Sequence, residues 1–335
     1  MILAGDIGGT KIQLGLFELS QGVLTLVREE RLLAARYSNL QDAVAAFMAA
    51  GPDEMNKLVE AACFACPGPV HAGRIELTNL PWIVDQRELA QLIGFKSLVL
   101  INDLEANACG IPILSPDDLF VLHEGVMPAI GHQALVSAGT GLGEALLIWD
   151  GVRHIPIPSE GGHCDYAPRT TDEIALLRYL QRSLSGRVSC ERVVSGIGMQ
   201  NIYAFWRDDQ RMPEEVWLRE RFQEEDTNAV IVECAQNGSS ELCVKTVQMF
   251  CGTYGAIAGD SALRLLARGG VYLGGGMPPN MLSSLQSSSF LNSFFDKGRM
   301  GSLMQTIPVK VILQPGCALL GAAAYAQARI LSAGM

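Results

Sequence analysis

The chain is poor in basic side chains, with 25 Lys and Arg against 35 Asp and Glu and a net charge of −10 over 335 residues. A protein that holds a nucleic-acid polymer needs a basic footprint to neutralise many phosphates, so this balance argues against such a partner. It leaves a mononucleotide open, because backbone amides and a bound Mg²⁺ can offset a triphosphate. No Gly-Lys dipeptide occurs, which excludes a Walker A loop, and His-Glu-x-x-His and zinc-deaminase signatures are missing too. Nothing ahead of Asp6 has the character of a secretory n-region or cleavage site. The nine cysteines are odd in number and scattered through apolar segments, which fits a reduced, cytoplasmic protein. Cys63 and Cys66 match Cys-x-x-Cys, but no second pair accompanies them and the run ends at Pro67, so packing is favoured over metal or redox chemistry. Charge is also lacking between Arg268 and Asp296. Glycines, prolines, Asn280 and serines there would leave polar groups unsatisfied in lipid, so the stretch reads as a glycine loop and a polar helix, not a membrane span.

What the chain does carry is one kind of glycine turn, twice. Gly5-Asp6-Ile7-Gly8-Gly9-Thr10 follows an apolar run at the start, and Gly139-Thr140-Gly141-Leu142-Gly143 follows another roughly 130 residues later. Apolar runs also leave both turns, Ile12 to Phe17 and Ala145 to Trp149, so each reads as a β-hairpin with glycines at the reversal. Gly backbone N–H groups with a Thr hydroxyl make an anion nest, and two nests suit the two ends of a polyphosphate. A dinucleotide fingerprint does not fit, because the last glycine of the second turn is wrongly spaced and the turn opens no helix. At 335 residues and 36.0 kDa the chain exceeds the usual size of one core, so two domains are expected.

Leu40, Ala43, Val44, Phe47 and Met48 recur at helical spacing behind Ser38 or Asn39, and Val59 to Ala65 reads as a buried strand. Asp85 with Glu88 suggests a capping box for a helix ending at Gly94, and the next strand is Ser97 to Ile101. Such alternation indicates an α/β lobe with parallel pairing. The change of lobe is placed near Gly110-Ile111-Pro112, with helix-rich stretches from Thr171 to Ser185 and Pro213 to Leu265. Strands follow near Val271 to Leu273 and Val309 to Leu313, and a terminal helix, Gly316 to Leu331, is placed back against the first lobe.

Several residues are candidates for chemistry. Asn102-Asp103 follows a strand directly, at the carboxyl end where open α/β sheets put ligands; Asp103 could equally be the N-cap of the helix from Leu104. In Glu160-Gly161-Gly162-His163 a carboxylate and an imidazole flank two glycines, which would let a polyhydroxylated ligand lie close to the backbone; a solvated surface loop is the alternative. Glu191 stands among small and apolar residues, where pairing with Arg192 or capping a helix is the alternative to a functional role. Asp6 is the one charge in its apolar strand and suits Mg²⁺ held through water, while Lys11 could touch phosphate or lie in solvent.

Together with Ile101-Asn102-Asp103, Glu191-Arg192-Val193-Val194-Ser195-Gly196 and Gly274-Gly275-Gly276, these motifs stand in the order seen in bacterial glucokinases. The likeness spans nearly the whole chain and resembles the hexokinase branch of the actin-like ATPase superfamily. The resemblance implies a two-lobed α/β fold of ribonuclease H-like type, with residues 1–112 plus 315–335 in a small lobe and 113–314 in a large one. It implies Asp103 as general base, and Asn79, Asn102, Asp103, Glu160, His163 and Glu191 as sugar contacts. Gly5 to Thr10 and Gly139-Thr140-Gly141 resemble the two phosphate loops, and Gly274-Gly275-Gly276 the adenosine loop. ATP and Mg²⁺ are the implied cofactors, glucose or a similar hexose the partner, and a homodimer the assembly. The related repressor/ORF/kinase group binds zinc through His and a cysteine cluster; here only Cys164 follows His163 closely, so no structural zinc is expected. Three readings follow: an ATP-dependent glucokinase, an actin-like kinase for another hexose or amino sugar, and a non-catalytic sugar sensor, which the intact Asp103 disfavours.

Overall fold

The apolar run that opens the chain is strand β1 (Ile2–Ile7), buried along its length, in a computed structural model that describes residues 1–52, 55, 58–77, 80–184 and 186–333. Asn79 lies outside the described residues. The chain divides into two units, Met1–Ser115 with Gln314–Met335, and Pro116–Leu313.

In the first unit β1 is followed by β2 (Lys11–Ser20) and β3 (Val23–Leu33), both antiparallel. Gln21 and Gly22, at φ 51° and 83°, make the tight β2–β3 reversal, a conformation suited to a two-residue hairpin turn. On the other side of β1 lie β4 (Ala61–Cys66) and β7 (Ser97–Asn102), both parallel, giving the order β3-β2-β1-β4-β7. Two short strands, β5 (Arg74–Glu76) and β6 (Ile83–Asp85), pair separately. Side chains alternate across the sheet. Leu3, Ile7, Phe64 and Cys66 join Phe47 and Leu89 on one face, while Ile2, Ala4, Ala61, Cys63, Ala65 and Ile101 join the terminal helix, Cys317–Ala333, on the other. A strand covered on both sides has no polar face to show, which is why β4 reads as an unbroken apolar run and β1 as one interrupted only at Asp6.

The helix over Leu40–Ala49 begins behind Asn39, whose side chain accepts from Asp42 N–H, so Asn39 and not Ser38 is the cap. Asp85 accepts from Arg87 and Glu88 N–H at the start of Gln86–Ile93, and Gly94 ends that helix in the left-handed region.

The second unit has the same order of pairing. β9 (Gln133–Ala138) and β10 (Leu142–Trp149) form a hairpin, β11 (His154–Ser159) adds an antiparallel edge, and β12 (Gly270–Gly274) and β13 (Val309–Ile312) run parallel to β9. β8 (Leu119–His123) closes the sheet as β11-β10-β9-β12-β13-β8. Three antiparallel strands followed by two parallel ones therefore occur twice in one chain. The long helix Glu241–Leu265 packs behind this sheet, and its buried Tyr254 donates to Val136 O at 2.8 Å. The expected polar helix after the glycine loop is broken into short pieces, Met277–Asn280, Leu282–Leu285 and Ser288–Phe295. Pro278 and Pro279 sit in the first piece and limit its length. Among the described residues no helix is long and apolar enough to cross a membrane.

Candidate active site

Parallel strands present their carboxyl ends on one side of a sheet, and in the first unit β1, β4 and β7 bring Asp6, Cys66, Asn102 and Asp103 there. The register pairs Asp6 with Ala65 and Cys66 with Asn102. Burial pushes the Asp6 carboxyl up to about 6, and the negative charge of Asp103 adds to the shift. Two carboxylates in mutual reach, one of them desolvated, favour a cation or a shared proton.

Asp103 is the first residue of the helix Asp103–Gly110, and the cap before it is Asn102. Asn102 Oδ1 accepts from Leu104 N–H at 2.8 Å and from Glu105 N–H at 3.4 Å, and its Nδ2 donates to Gly68 O at 3.0 Å. Capping, one of the two roles the sequence left open for Asp103, thus falls to Asn102, while Asp103 Oδ1 accepts from its neighbour Leu104 N–H at 2.9 Å. A helix N-terminus favours negative charge, which suits a carboxylate at this position.

The first glycine turn is closed by Gly8 N–H to Lys11 O at 2.9 Å, and a Cβ on Gly8 would lie 2.9 Å from that oxygen. Gly5 has a different reason for its identity: a Cβ there would meet the Phe64 ring at 2.6 Å. The turn's capacity for an anion therefore rests with Gly9 and Thr10. The second turn is closed by Gly139 N–H to Gly141 O at 2.9 Å, and Gly196 N–H donates to Gly139 O at 2.8 Å. Glu191 braces it. Its Oε2 accepts from Leu142 N–H at 3.1 Å, and a Cβ on Gly141 would stand 2.5 Å from the same oxygen. The carboxylate is thus committed to the turn, and the helix cap is Ser195, which accepts from Gly198 N–H.

Within the second unit Gly139, Thr140, Gly196 and Gly276 line one pocket of ≈ 570 Å³. Asp226, Asn228, Gln236 and Met281 are among the other residues of its wall, and the sequence reading passed over all four. The available signal was Asp226-Thr227-Asn228, an N-cap pattern; Asp226 does accept from Ala229 N–H at 2.8 Å. The three glycines 274–276 divide by role. A Cβ on Gly274 would be 3.0 Å from Leu135, Gly275 sits at φ 83° with Ala138 O 2.3 Å from its Cβ position, and only Gly276 faces open space.

Glu160 and His163 share an exposed turn, with side chains 69% and 58% accessible and Oε2 3.8 Å from Nε2. The glycines between them are explained by their own unit. A Cβ on Gly161 would press on the Glu144 carboxyl at 2.8 Å, and one on Gly162 would overlap Leu142 O at 1.8 Å. Close approach of the turn to β10 bars larger residues at both positions.

These observations sit beside three comparisons. The glucokinase family model matches residues 3–329. A glucokinase of Trichormus variabilis is 42% identical over 336 residues, covering 96% of this chain and 98% of that protein. Among solved structures, a glucokinase from an Antarctic psychrotroph superposes with a TM-score of 0.84 at 31% identity, covering 98% of each chain. A ROK family glucokinase from Streptomyces griseus, in complex with glucose and AMPPNP, has the same fold at a TM-score of 0.64 and 20% identity, covering 98% of this chain and 99% of that one. The fold is that of the actin-like sugar kinases. On the match to its family model and the identity to curated relatives, the chain belongs to the glucokinase family.

Proposed function

We propose that this glucokinase moves the γ-phosphoryl group of ATP to the primary hydroxyl of glucose with Asp103 as the base. Phosphoryl transfer asks for placement and charge stabilisation more than covalent chemistry. Asp103 accepts the hydroxyl proton as the oxygen attacks phosphorus, and N–H groups of Gly9, Thr10, Thr140 and Gly141 stabilise the equatorial oxygens. Gly276 and the pocket around Asn228 take the adenosine. Asp6, whose ionisation is costly without a counter-charge, holds Mg²⁺ through water; when bound, the ion offsets the triphosphate charge. Glu160, His163 and Glu191 bind sugar hydroxyls, Glu191 while it braces the second turn, and Asn79 is kept as a further contact. Asn102 orients the Asp103 helix and has one amide hydrogen left for the sugar. A cytoplasmic homodimer without structural zinc completes the reading, and light scattering tests the assembly.

The observation that carries the proposal is the pair Asp6 and Asp103, brought to one end of the β1-β4-β7 strands at the head of a helix. A coupled ADP-release assay over a sugar panel is expected to show turnover with glucose above other hexoses and amino sugars. General-base assistance contributes about 10²- to 10⁴-fold, so Asp103→Asn should lower kcat by that much with glucose KM little changed. Near-normal turnover by that variant would remove Asp103 from the role.

A further inference from the structure

Two cysteines flank the motifs that the proposed function uses for sugar. Cys164 directly follows His163, and Cys190 directly precedes Glu191. The segments carrying them are zipped together. Tyr166 N–H donates to Val188 O at 2.9 Å, Cys190 N–H donates to Cys164 O at 2.8 Å, and Asp165 bridges antiparallel to Ser189. Arg187 fastens the same stretch from outside, through Asp165 and the His163 carbonyl. One step outward from the Asp165–Ser189 bridge, Cys164 and Cys190 stand directly opposite each other. One backbone bond joins them, from Cys190 N–H, while Cys164 N–H turns away to Gly161 O at 3.0 Å. Directly opposed residues of an antiparallel pair have Cα atoms about 4.5–5.5 Å apart and side chains on one face, inside the range that a disulfide spans.

Exposure divides the pair. Cys164 alone of the nine cysteines is exposed, while Cys190 is 7% accessible. One thiol is open to a soluble disulfide and the other waits behind it, the arrangement of an attacking and a resolving cysteine. The remaining seven are buried or half-buried.

We propose that Cys164 and Cys190 are a site of reversible disulfide formation with a glutathione-type disulfide, and that the bridge weakens glucose binding. The second half of this rests on reading His163 and Glu191 as part of the sugar site. In the first step the Cys164 thiolate attacks one sulfur of oxidised glutathione, forming a mixed disulfide and releasing one glutathione thiol. The Cys190 thiol then loses its proton to solvent and its sulfur attacks Cys164 Sγ, releasing the second glutathione. Two protein thiols are oxidised and one small disulfide is reduced. Burial pushes the Cys190 thiol up to about 12, with Glu144 and then Cys164 adding to it, so the second step is slow near neutrality and quickens as pH rises. Joining the two sulfurs takes Cys190 Sγ from Asp165 O, which it reaches at 3.6 Å, and shifts the backbone beside His163 and Glu191. Misplacement on the scale of an ångström costs up to about a hundredfold in an enzyme site, so glucose KM is expected to rise about tenfold.

Full-length enzyme is incubated with oxidised glutathione, alkylated, and read by intact mass and peptide mapping, with glucose KM measured before and after. A Cys164–Cys190 bridge, a raised KM and full reversal by dithiothreitol are the expected results, and Cys164→Ser should abolish all three while leaving the reduced activity intact. Both thiols still alkylated after treatment, or a bridge that leaves glucose KM unchanged, overturns the proposal. His163→Ala, measured alongside, separates the two readings: if it raises KM and the bridge does not, only the redox inference falls; if neither does, the placement of the sugar site falls with it.

Discussion

Asp6 carries a stability cost that changes with pH. Its carboxyl titrates near 3.8 in an unfolded chain and at about 6 in the fold, so the folded form is the tighter proton binder. Below both values the residue is neutral in either state and costs nothing. As pH rises through that window the folded state is progressively penalised, by up to ~3 kcal/mol above it. Asp6→Asn should therefore stabilise the ligand-free protein in denaturant at about pH 7 and make no difference near pH 3.5, while activity with Mg²⁺–ATP falls; equal midpoints at both pH values would contradict the burial argument. Glu191 presents the reverse case, a carboxylate put to use inside the fold. Hydrogen bonds to charged acceptors are worth about 1.5–3 kcal/mol, so Glu191→Ala should raise KM for ATP as well as glucose by roughly tenfold or more, and Glu191→Gln, which can still accept from Leu142 N–H, should lose less. At this scale the sequence reading named residues better than it named their partners. Glu191 and Asn102 were visible as polar residues among apolar ones, but the N–H that Glu191 serves lies 49 residues away and the carbonyl to which Asn102 donates, that of Gly68, lies 34 residues away. Sequence spacing reports neighbours along the chain, and a brace across it leaves no periodic trace.

Elements were legible where their burial is two-sided or their caps are local. β1, β4 and β7 appear as apolar runs, and Asn39, Asp85 and Gly94 mark helix ends through bonds made within a few residues. β3 was not foreseen because most of its residues are exposed and charge interrupts the alternation. β11 shows how an edge can be protected: Pro156 and Pro158 alternate along it and remove two backbone donors, and its outer side has no strand partner among the described residues. The glycine turns were found, but for part of the reason only. Gly5, Gly161 and Gly162 are small because another segment lies against them. Gly162→Ala is accordingly expected to destabilise the second unit by more than about 2 kcal/mol, since its Cβ would overlap a backbone oxygen; calorimetry showing an unchanged second-unit transition would count against that packing.

As a whole the chain uses one strand order twice and gives each copy its own core. The pocket with Gly139 and Gly276 belongs entirely to the second unit. ADP should therefore slow hydrogen exchange over residues 226–236 and 276–281 even when Asp103 is replaced, whereas loss of that protection would detach the pocket from nucleotide. The first unit is not finished by its first 115 residues. Ala318, Leu319, Ala322, Ala323 and Ala326 supply one side of its sheet, and a Cβ on Gly321 would lie 1.8 Å from Ala106 O in the very helix that Asp103 begins. Small residues allow that contact and bulk would push the helix away. On the ribosome, then, the proposed base is made early but cannot be seated until some two hundred further residues have been translated and the closing helix has emerged. A nascent chain stalled before Cys317 should expose Phe17 and Ile101 to solvent and chaperones, and should turn over no sugar however well its second unit has formed.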